Sequence, residues 1–157
     1  MNPHRVRLEP LLSIEVKLAH TDAAIAACYP VLVQLRPEIE QHDFPTRVRR
    51  QMAQGYELAC VLDAGTPVAV AGFRYLENLA WGRFLYVDDL ITDADRRSHG
   101  HGSRLFDWLL QEAKRRACAA IHLDSGVQRF DAHRFYLRER MRISSHHFEI
   151  RLDAPRA

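Results

Sequence analysis

Apolar and polar residues alternate cleanly from Leu12 to Leu18, close to the first residue of the chain. A period of two is the pattern of a strand with one buried face, so we predict a first strand here. Thr21 and Asp22 then precede an alanine-rich stretch that reaches about Leu35. Residues of these two types cap helices well, and a proline inside a helix breaks or kinks it. The pattern therefore predicts a first helix that is interrupted or ended near Pro30.

A second helix and a hairpin follow. The helix is predicted from Phe44 to Gln54, with Asp43 as its cap and Gly55 as its stop signal. Two apolar runs then flank a turn of four residues, which is the pattern of a β-hairpin. A loop separates this hairpin from one more strand of the run. The three predicted strands are Tyr56–Leu62, Pro67–Tyr75 and Arg83–Thr92.

The last part of the chain alternates between helices and strands. Leu105, Leu109 and Ala113 have helical spacing, which predicts a strong amphipathic helix from His101 to Ala117. Asp131 is the expected cap of a further helix. The remaining predicted elements are a strand at Ala119–Ser125, a helix from Ala132 to about Glu139, and a last strand at Ser144–Leu152.

The resulting order is β-α-α-β-β-β-α-β-α-β. Strands that surround separate helices predict an α/β (α+β) fold, with a mixed central sheet of about six strands and helices on both of its faces. The length of 157 residues is typical of one domain, which we expect to have its core at about residues 12–152.

Composition excludes several classes of protein. The formal net charge is +2, which is too small to indicate a nucleic-acid or membrane partner. The three cysteines are far apart and form no CxxC pair, which favours free thiols over a disulfide framework. No apolar run has the length of a signal peptide or a membrane span. We therefore expect a soluble cytoplasmic protein.

The segment from Arg97 to Ser103 is the most informative stretch for chemistry, because it lies between a predicted strand and an amphipathic helix. Its two glycines allow backbone N–H groups to approach an anion closely. The first turn of a helix adds unpaired N–H groups and a partial positive charge, so the segment can hold a diphosphate. It is neither a GxGxxG dinucleotide fingerprint nor a Walker A loop. A turn without any ligand is the structural alternative.

Three features together resemble the GNAT superfamily of N-acetyltransferases. The residues Arg97-x-x-Gly100-x-Gly102 are similar to its [QR]xxGx[GA] signature for acetyl-CoA, and a strand ending at Thr92 precedes them. Downstream, the segment Ala132–Tyr136 looks like the A-x-x-F-Y helix of that family. The resemblance is strong from about Arg83 to Met141. It implies acetyl transfer from acetyl-CoA to an amine, with acetyl-CoA as cosubstrate and no metal.

Two positions depart from the family pattern. Arg129 stands where family members often have asparagine, which puts one side-chain contact to the cofactor in doubt. Arg140 and Met141 stand where Gly-Phe often follows the helix, a change that we expect to affect only a turn.

The resemblance also implies where the cofactor lies. The strand that ends at Thr92 is expected to diverge from the next strand, near Ala119–Ser125, and the pantetheine arm would pair with the free backbone in that gap. The implied backbone partners are Leu90, Ile91 and Thr92. The diphosphate is expected at Arg97, Ser98, His99, Gly100, His101, Gly102 and Ser103.

Acetylation of an amine needs a neutral nitrogen and a proton for the departing thiolate. Asp88 occupies the position at which related enzymes carry a general base, although binding a cationic acceptor or only ordering a loop is an equally open role. Asp89 is the alternative base, but successive side chains of a strand point to opposite faces. Tyr136 is the candidate acid, because a phenol matches the departing thiolate; packing is its alternative role. The backbone N–H of Leu90 is a candidate for stabilising the oxyanion.

We therefore expect an N-acetyltransferase that works by direct attack in a ternary complex, because no cysteine lies near the implied thioester position. The competing interpretation is a non-catalytic module that uses the same fold as an acyl-CoA sensor or as a protein-interaction domain. The expected partners are a small-molecule or peptide amine, with no nucleic acid and no membrane, and with a homodimer as an option. The sequence leaves the identity of the acceptor open.

Overall fold

The structure is a computed structural model, and it describes residues 14–152. Residues 12 and 13 of the predicted first strand lie outside the described residues. The chain divides into two compact units between Leu123 and Asp124. The first unit contains a sheet and three α-helices, and the second contains one helix.

The first three elements confirm the predicted order. β1 spans Glu15–Leu18, α1 spans Asp22–Leu32 and α2 spans Phe44–Met52. The side chain of Thr21 caps α1 by accepting a hydrogen bond from the backbone N–H of Ala24 at 3.2 Å. The helix passes through Pro30 and ends two residues later, as the proline led us to expect.

Four further strands complete the sheet, whose order is β1-β2-β3-β4-β5. The first four strands are antiparallel, whereas β5 runs parallel to β4. A two-residue turn joins β2 to β3, and both of its residues have positive φ, at 49° for Ala64 and 80° for Gly65. The remaining strands are β2 (Tyr56–Asp63), β3 (Thr66–Asn78), β4 (Gly82–Thr92) and β5 (Ala120–Leu123).

The sheet is covered on both faces, because consecutive residues of its central strands belong to different cores. One core contains Leu58 and Cys60 of β2 together with residues of α1 and α2. The other contains Ala59 and Val61 together with residues of α3, which spans His101–Arg115. A short 3-10 helix at Ala94–Arg96 precedes α3. The predicted fold class is confirmed, and none of the helices among the described residues could cross a membrane.

The second unit contains α4, which spans Phe130–Arg138. Our assignment of Asp131 as the cap of this helix is wrong. The cap is Arg129, and Asp131 lies in the first turn, where its carboxylate accepts a hydrogen bond from Arg134 at 3.0 Å. A nearby arginine therefore satisfies the side chain that was expected to accept a hydrogen bond from the helix backbone.

The predicted last strand, Ser144–Leu152, is also wrong, and the sheet has five strands within residues 14–152. Within the described part of the chain, no strand pairs with these residues. Their apolar members are exposed, with Phe148 at 90% and Ile150 at 85%. Alternation describes what a strand would present on each face, but a strand also needs a hydrogen-bonded neighbour, which a local pattern cannot supply.

Candidate active site

A β-bulge in β4 organises the candidate site. β3 and β4 pair residue by residue up to a shift between Gly72 and Phe73, where Gly72 lies opposite Asp89 and Phe73 lies opposite Val87. Asp88 is therefore an extra residue in β4 with no opposite partner in β3. An extra residue of this kind bends the strand and re-aims the side chains around it.

The bulge brings Asp88 and Asp89 to the same face of the sheet. Before the bulge, Val87 packs in the core that contains α3, and after it Ile91 packs in the core that contains α1 and α2. Both carboxylates bond to groups on the α1–α2 face, as their partners below show. The expectation that Asp89 points to the opposite face is wrong, because strict alternation fails across the extra residue.

Arg74 of β3 holds the carboxylate of Asp88. Its Nε donates to Oδ2 of Asp88 at 2.8 Å, and its Nη2 donates to Oε1 of Gln51 in α2 at 2.9 Å. The side chain of Asp88 is 26% exposed, so it remains accessible from solvent. Burial raises the pKa of Asp88 above its usual value, and Arg74 opposes that shift. A raised pKa makes the carboxylate a stronger base than an ordinary aspartate.

Asp89 has two partners. Nε of Arg36 donates to Oδ1 of Asp89 at 2.8 Å, and the phenol of Tyr56 donates to Oδ2 at 3.0 Å. A second nitrogen of Arg36 donates to the backbone carbonyl of Asp88 at 3.1 Å. Arg36 thus contacts both the backbone of the bulge and the carboxylate of Asp89. The buried Asp89 is held by the guanidinium of Arg36 and the hydroxyl of Tyr56. These contacts make Asp89 a structural carboxylate and leave Asp88 as the accessible one.

The ladder between β4 and β5 ends where the bulge begins. Its last pair is Val87 with Leu123, and β4 continues from Asp88 to Thr92 beyond that pair. Among the described residues, no strand pairs with this part of β4 on the side of β5. The backbone of Leu90, Ile91 and Thr92 can therefore accept an extended ligand at this edge. The expectation that the two strands separate here agrees with this pairing.

The glycine-containing loop supplies an anion-binding geometry. Ser98 and Gly100 have φ values of 66° and 79°, and α3 begins at His101 without a side-chain cap. An added Cβ at Gly100 would meet nothing within 4 Å. His99 is turned back onto its own loop, where its Nδ1 lies 2.8 Å from the carbonyl of Arg97. The open space and the uncapped helix start fit a diphosphate.

His101 adds a second observation at the same place. Its side chain is 4% exposed, and its Nδ1 is a buried polar atom without a hydrogen-bond partner. Such an atom at the start of a helix fits a site for a ligand with hydrogen-bonding groups. Arg96, which directly precedes the segment, forms an ion pair with Asp63 at 3.5 Å. The residues that would hold a diphosphate are those of the 97–103 segment.

Tyr136 lies in the second turn of α4, in the second unit of the chain. Its side chain is 9% exposed. Burial raises the pKa of its phenol, and the neighbouring Arg129 partly lowers it. The phenol therefore keeps its proton at neutral pH and can serve as a donor. Arg129, which departs from the family pattern, thus acts on the tyrosine.

Three residues that hold the two carboxylates were not predicted from the sequence: Arg36, Arg74 and Tyr56. Arg74 interrupts an otherwise apolar stretch of β3, and an isolated charge of that kind is a signal that could have identified it. Arg36 gives no such signal, because it lies in a polar connection after α1. Within residues 14–152, no group of three or more His, Cys, Asp or Glu side chains could hold a metal ion.

Comparison with known proteins decides the family. The profile of the Acetyltransferase (GNAT) family matches residues 23–140 of the 157. This chain belongs to the GNAT acetyltransferase family. It is 31% identical over 112 residues to the uncharacterized N-acetyltransferase YhdJ of Bacillus subtilis, which covers 71% of this chain and 79% of that relative. A GNAT protein with such a relative is an acyltransferase.

Solved structures of GNAT proteins have the same fold. A ribosomal-protein-alanine N-acetyltransferase from Brucella melitensis superposes with a TM-score of 0.77 at 18% identity, over 89% of this chain and 99% of the other. An aminoglycoside N-acetyltransferase, AAC(6')-Iy, which is in complex with CoA, superposes with a TM-score of 0.78 at 9% identity. That match covers 94% of this chain and 100% of the other. At these identities the likeness concerns the fold.

Proposed function

We propose that this GNAT acyltransferase moves the acetyl group of acetyl-CoA to a primary amine by direct attack in a ternary complex. The observation that carries the proposal is the juxtaposition in β4. The β4–β5 ladder ends at Val87, and the next residue is a half-buried carboxylate on a bulge. An open strand edge for an extended ligand therefore adjoins a group that can accept a proton.

Asp88 is the proposed general base. Acetyl-CoA supplies an activated carbonyl carbon and a leaving thiolate. An alkylamine is protonated at neutral pH, with a reference pKa of about 10.4, so a base must remove a proton directly or through water. The raised pKa of Asp88 brings it closer to that role, and its position at the end of the ladder supports the assignment. Asp89 is engaged by Arg36 and Tyr56 and does not compete for the role.

Tyr136 is the proposed proton donor to the thiolate. The usual pKa of its phenol, 10.0, is raised further by burial, so the phenol keeps its proton across the neutral range. The match of Ala132–Tyr136 to the family's helix motif, within the family match at 23–140, supports this role. Leu90 to Thr92 would pair with the pantetheine arm. The residues Arg97, Ser98, His99, Gly100, His101, Gly102 and Ser103 would hold the diphosphate.

The acceptor is proposed only as a class. A half-buried carboxylate at Asp88 favours a cationic amine over a neutral or anionic group. All three cysteines are free thiols, with Cys28 and Cys60 buried, which agrees with the reducing cytoplasm that we propose as the location.

Calorimetric titration with acetyl-CoA tests the cofactor first. We expect micromolar binding to the wild type and its loss in a folded Gly100→Asp/Gly102→Asp variant, because two carboxylates would repel the diphosphate. Circular dichroism and a thermal melt establish that the variant is folded. Absence of binding to the folded wild type would contradict the proposal and leave a GNAT fold without its usual ligand.

Turnover is then measured with a panel of spermidine, tyramine, 2-aminoethylphosphonate and an alanine-ended peptide. Tyr136→Phe should lower kcat by about 10²-fold while acetyl-CoA affinity is kept. Asp88→Asn should lower kcat with a similar retention of affinity. A variant that binds acetyl-CoA and acetylates the panel as fast as the wild type would remove that residue from the mechanism. Binding without turnover on any amine would favour the sensor interpretation.

A further inference from the structure

Arg74 connects three elements of the first unit around the candidate base. It donates to the carboxylate of Asp88 in β4 and to Gln51 in α2, at 2.8 Å and 2.9 Å. Its guanidinium also lies over the ring of Tyr56 in β2, 5.5 Å from the ring centroid. The side chain is only 17% exposed, so these contacts hold it in one place.

We propose that Arg74 is a positioning residue that fixes the Asp88 carboxylate on the bulge and sets the lower pH limit of acetyl transfer. The inference rests on the proposed function, in which Asp88 accepts a proton from the amine. Arg74 itself touches neither substrate nor cofactor in this proposal. It acts through the carboxylate that it orients.

The other groups around Asp88 do not duplicate this contact. Asp89 lies beside it on the same face and would disfavour its charge. Arg36 reaches the backbone carbonyl of Asp88, but its Nε is engaged by the Asp89 carboxylate. The phenol of Tyr56 donates to Asp89. From α2, Gln51 is neutral and contacts Arg74. Arg74 is thus the cation whose hydrogen bond reaches the Asp88 side chain.

Two effects with opposite signs act on the carboxylate. Burial raises the pKa of Asp88, whereas the hydrogen bond and the charge of Arg74 lower it, and the balance is a raised pKa. Removal of the arginine leaves the charge of Arg36 as the remaining effect that opposes burial and the neighbouring Asp89. The carboxylate should then take up a proton at a higher pH than in the wild type.

Three variants separate the effect of the positive charge of Arg74 from the effect of its hydrogen bonds. Arg74→Met removes the charge and the hydrogen bonds, and Arg74→Gln removes the charge but keeps an amide that can donate. Arg74→Lys keeps the charge but cannot donate to Asp88 and Gln51 together through a planar fork. Arg49→Met is the matched control, because it breaks an arginine–aspartate pair on the surface between α2 and Asp22.

The first measurement is a pH titration of ¹³Cγ-labelled aspartate by NMR in the free protein, with the Asp88 signal assigned through Asp88→Asn. The midpoint of Asp88 should rise by about one pH unit or more in Arg74→Met and in Arg74→Gln. It should move less in Arg74→Lys and stay unchanged in Arg49→Met. If Arg74→Met does not fold, Arg74→Gln decides the question alone.

The second measurement is kcat/KM against pH with acetyl-CoA and whichever amine of the panel is acetylated fastest. The acidic limb should move upward with the NMR midpoint in the two neutral variants. In Arg74→Lys the acidic limb should stay at its wild-type pH. The kcat should fall about tenfold, because the carboxylate is less well oriented.

The two measurements distinguish the inference from the proposed function. An unchanged Asp88 midpoint in a folded neutral variant overturns the inference. A raised midpoint with an unmoved acidic limb supports the positioning of Asp88 by Arg74, but it overturns the control of the pH limit together with the assignment of Asp88 as the base.

Discussion

The phenol of Tyr56 fills the space that a side chain at Gly72 would occupy. A Cβ added at Gly72 would collide with Oη, Cζ and Cε2 of that ring. Gly72 is also the residue opposite Asp89 at the bulge. The missing side chain therefore makes room for the tyrosine that donates to Asp89. A glycine inside a strand often marks such a close approach.

Gly72→Ala should destabilise the fold by about 2 kcal/mol, because the buried ring of Tyr56 must move. Urea unfolding at pH 7 measures the loss. In a double-mutant cycle with Tyr56→Leu, the alanine should cost much less when the ring is absent. Equal costs of Gly72→Ala with and without the ring would show that the ring is not what excludes a side chain.

Tyr56 should also control stability in alkaline solution. Burial and the nearby Asp89 raise the pKa of its phenol well above the usual value of 10.0. The unfolded chain therefore releases this proton at a lower pH than the folded one, so stability falls as the pH rises above about 10. Tyr56→Phe should be less stable by about 1–3 kcal/mol at pH 8, through loss of the bond to Asp89, and should show a shallower decline above pH 10.

Urea unfolding at several pH values between 8 and 11 checks this slope. Tyr29→Phe is the control, since it removes a phenol that donates to the backbone carbonyl of Ile39 rather than to a carboxylate. An equally steep decline in Tyr56→Phe and the wild type would contradict the assignment.

The charged form of Asp88 should lower the free energy of unfolding at neutral pH. Its folded pKa is raised above the usual 3.8, so the folded state favours the protonated form. The stabilising contribution is complete below about pH 3.8 and is lost as the pH rises through the folded pKa. Relative to Asp88→Asn, the wild type should therefore lose stability between pH 3 and pH 7. Urea unfolding of both proteins at the two pH values measures the difference, and the exposed Asp22→Asn serves as control. A relative gain for the wild type would reverse the sign that we assign.

The bulge explains why the sequence predicted the strand and its candidate base but not the arrangement of the two carboxylates. The apolar spacing of β4 correctly indicated a strand at Arg83–Thr92, because periodicity is a local property. Whether an extra residue interrupts the ladder depends on the pairing partner in β3, where Gly72 faces Asp89. The sequence shows two adjacent aspartates in a predicted strand, but it does not show that both side chains lie on the same face of the sheet.

The arginine partners of the two aspartates could not be predicted from the sequence for the same reason. Arg36 and Asp89 are separated by 53 positions, and Arg74 and Asp88 by 14, so only the folded topology joins them. The glycine loop and the Tyr136 helix were predictable because each motif is contiguous. The strand predicted at Ser144–Leu152 is absent, because alternation of apolar and polar residues contains no information about a pairing partner.

Two helices end in residues that are poorly suited to their backbone. Ala117 after α3 and Arg140 after α4 have φ values of 54° and 66°, in the left-handed region that favours glycine. Ala117→Gly and Arg140→Gly should each stabilise the protein by about 1 kcal/mol, because a side chain in this conformation costs roughly 1–2 kcal/mol. Arg140→Ala should give no such gain. Thermal unfolding of the three variants tests this, and a loss of stability on either glycine substitution would contradict it.

Arg129 should set the proton affinity of Tyr136. Burial raises the pKa of the phenol, and the guanidinium of Arg129 opposes this by its charge and by a hydrogen bond. Arg129→Gln should therefore raise the pKa of Tyr136 further, which makes the phenol a weaker acid and lowers kcat a few-fold. The control is Arg138→Gln, in the same helix, whose guanidinium lies over the ring of Phe135 at 5.5 Å.

The pKa is followed by NMR of ¹³Cζ-labelled tyrosine, with the Tyr136 signal assigned through Tyr136→Phe, because the chain contains five tyrosines. A rise in the pKa together with a lower kcat would show that the arginine at this position tunes the proton donor. A rise without any change in kcat would mean that proton donation by Tyr136 does not limit turnover. An unchanged pKa in a folded Arg129→Gln would mean that the guanidinium does not act on the phenol in solution.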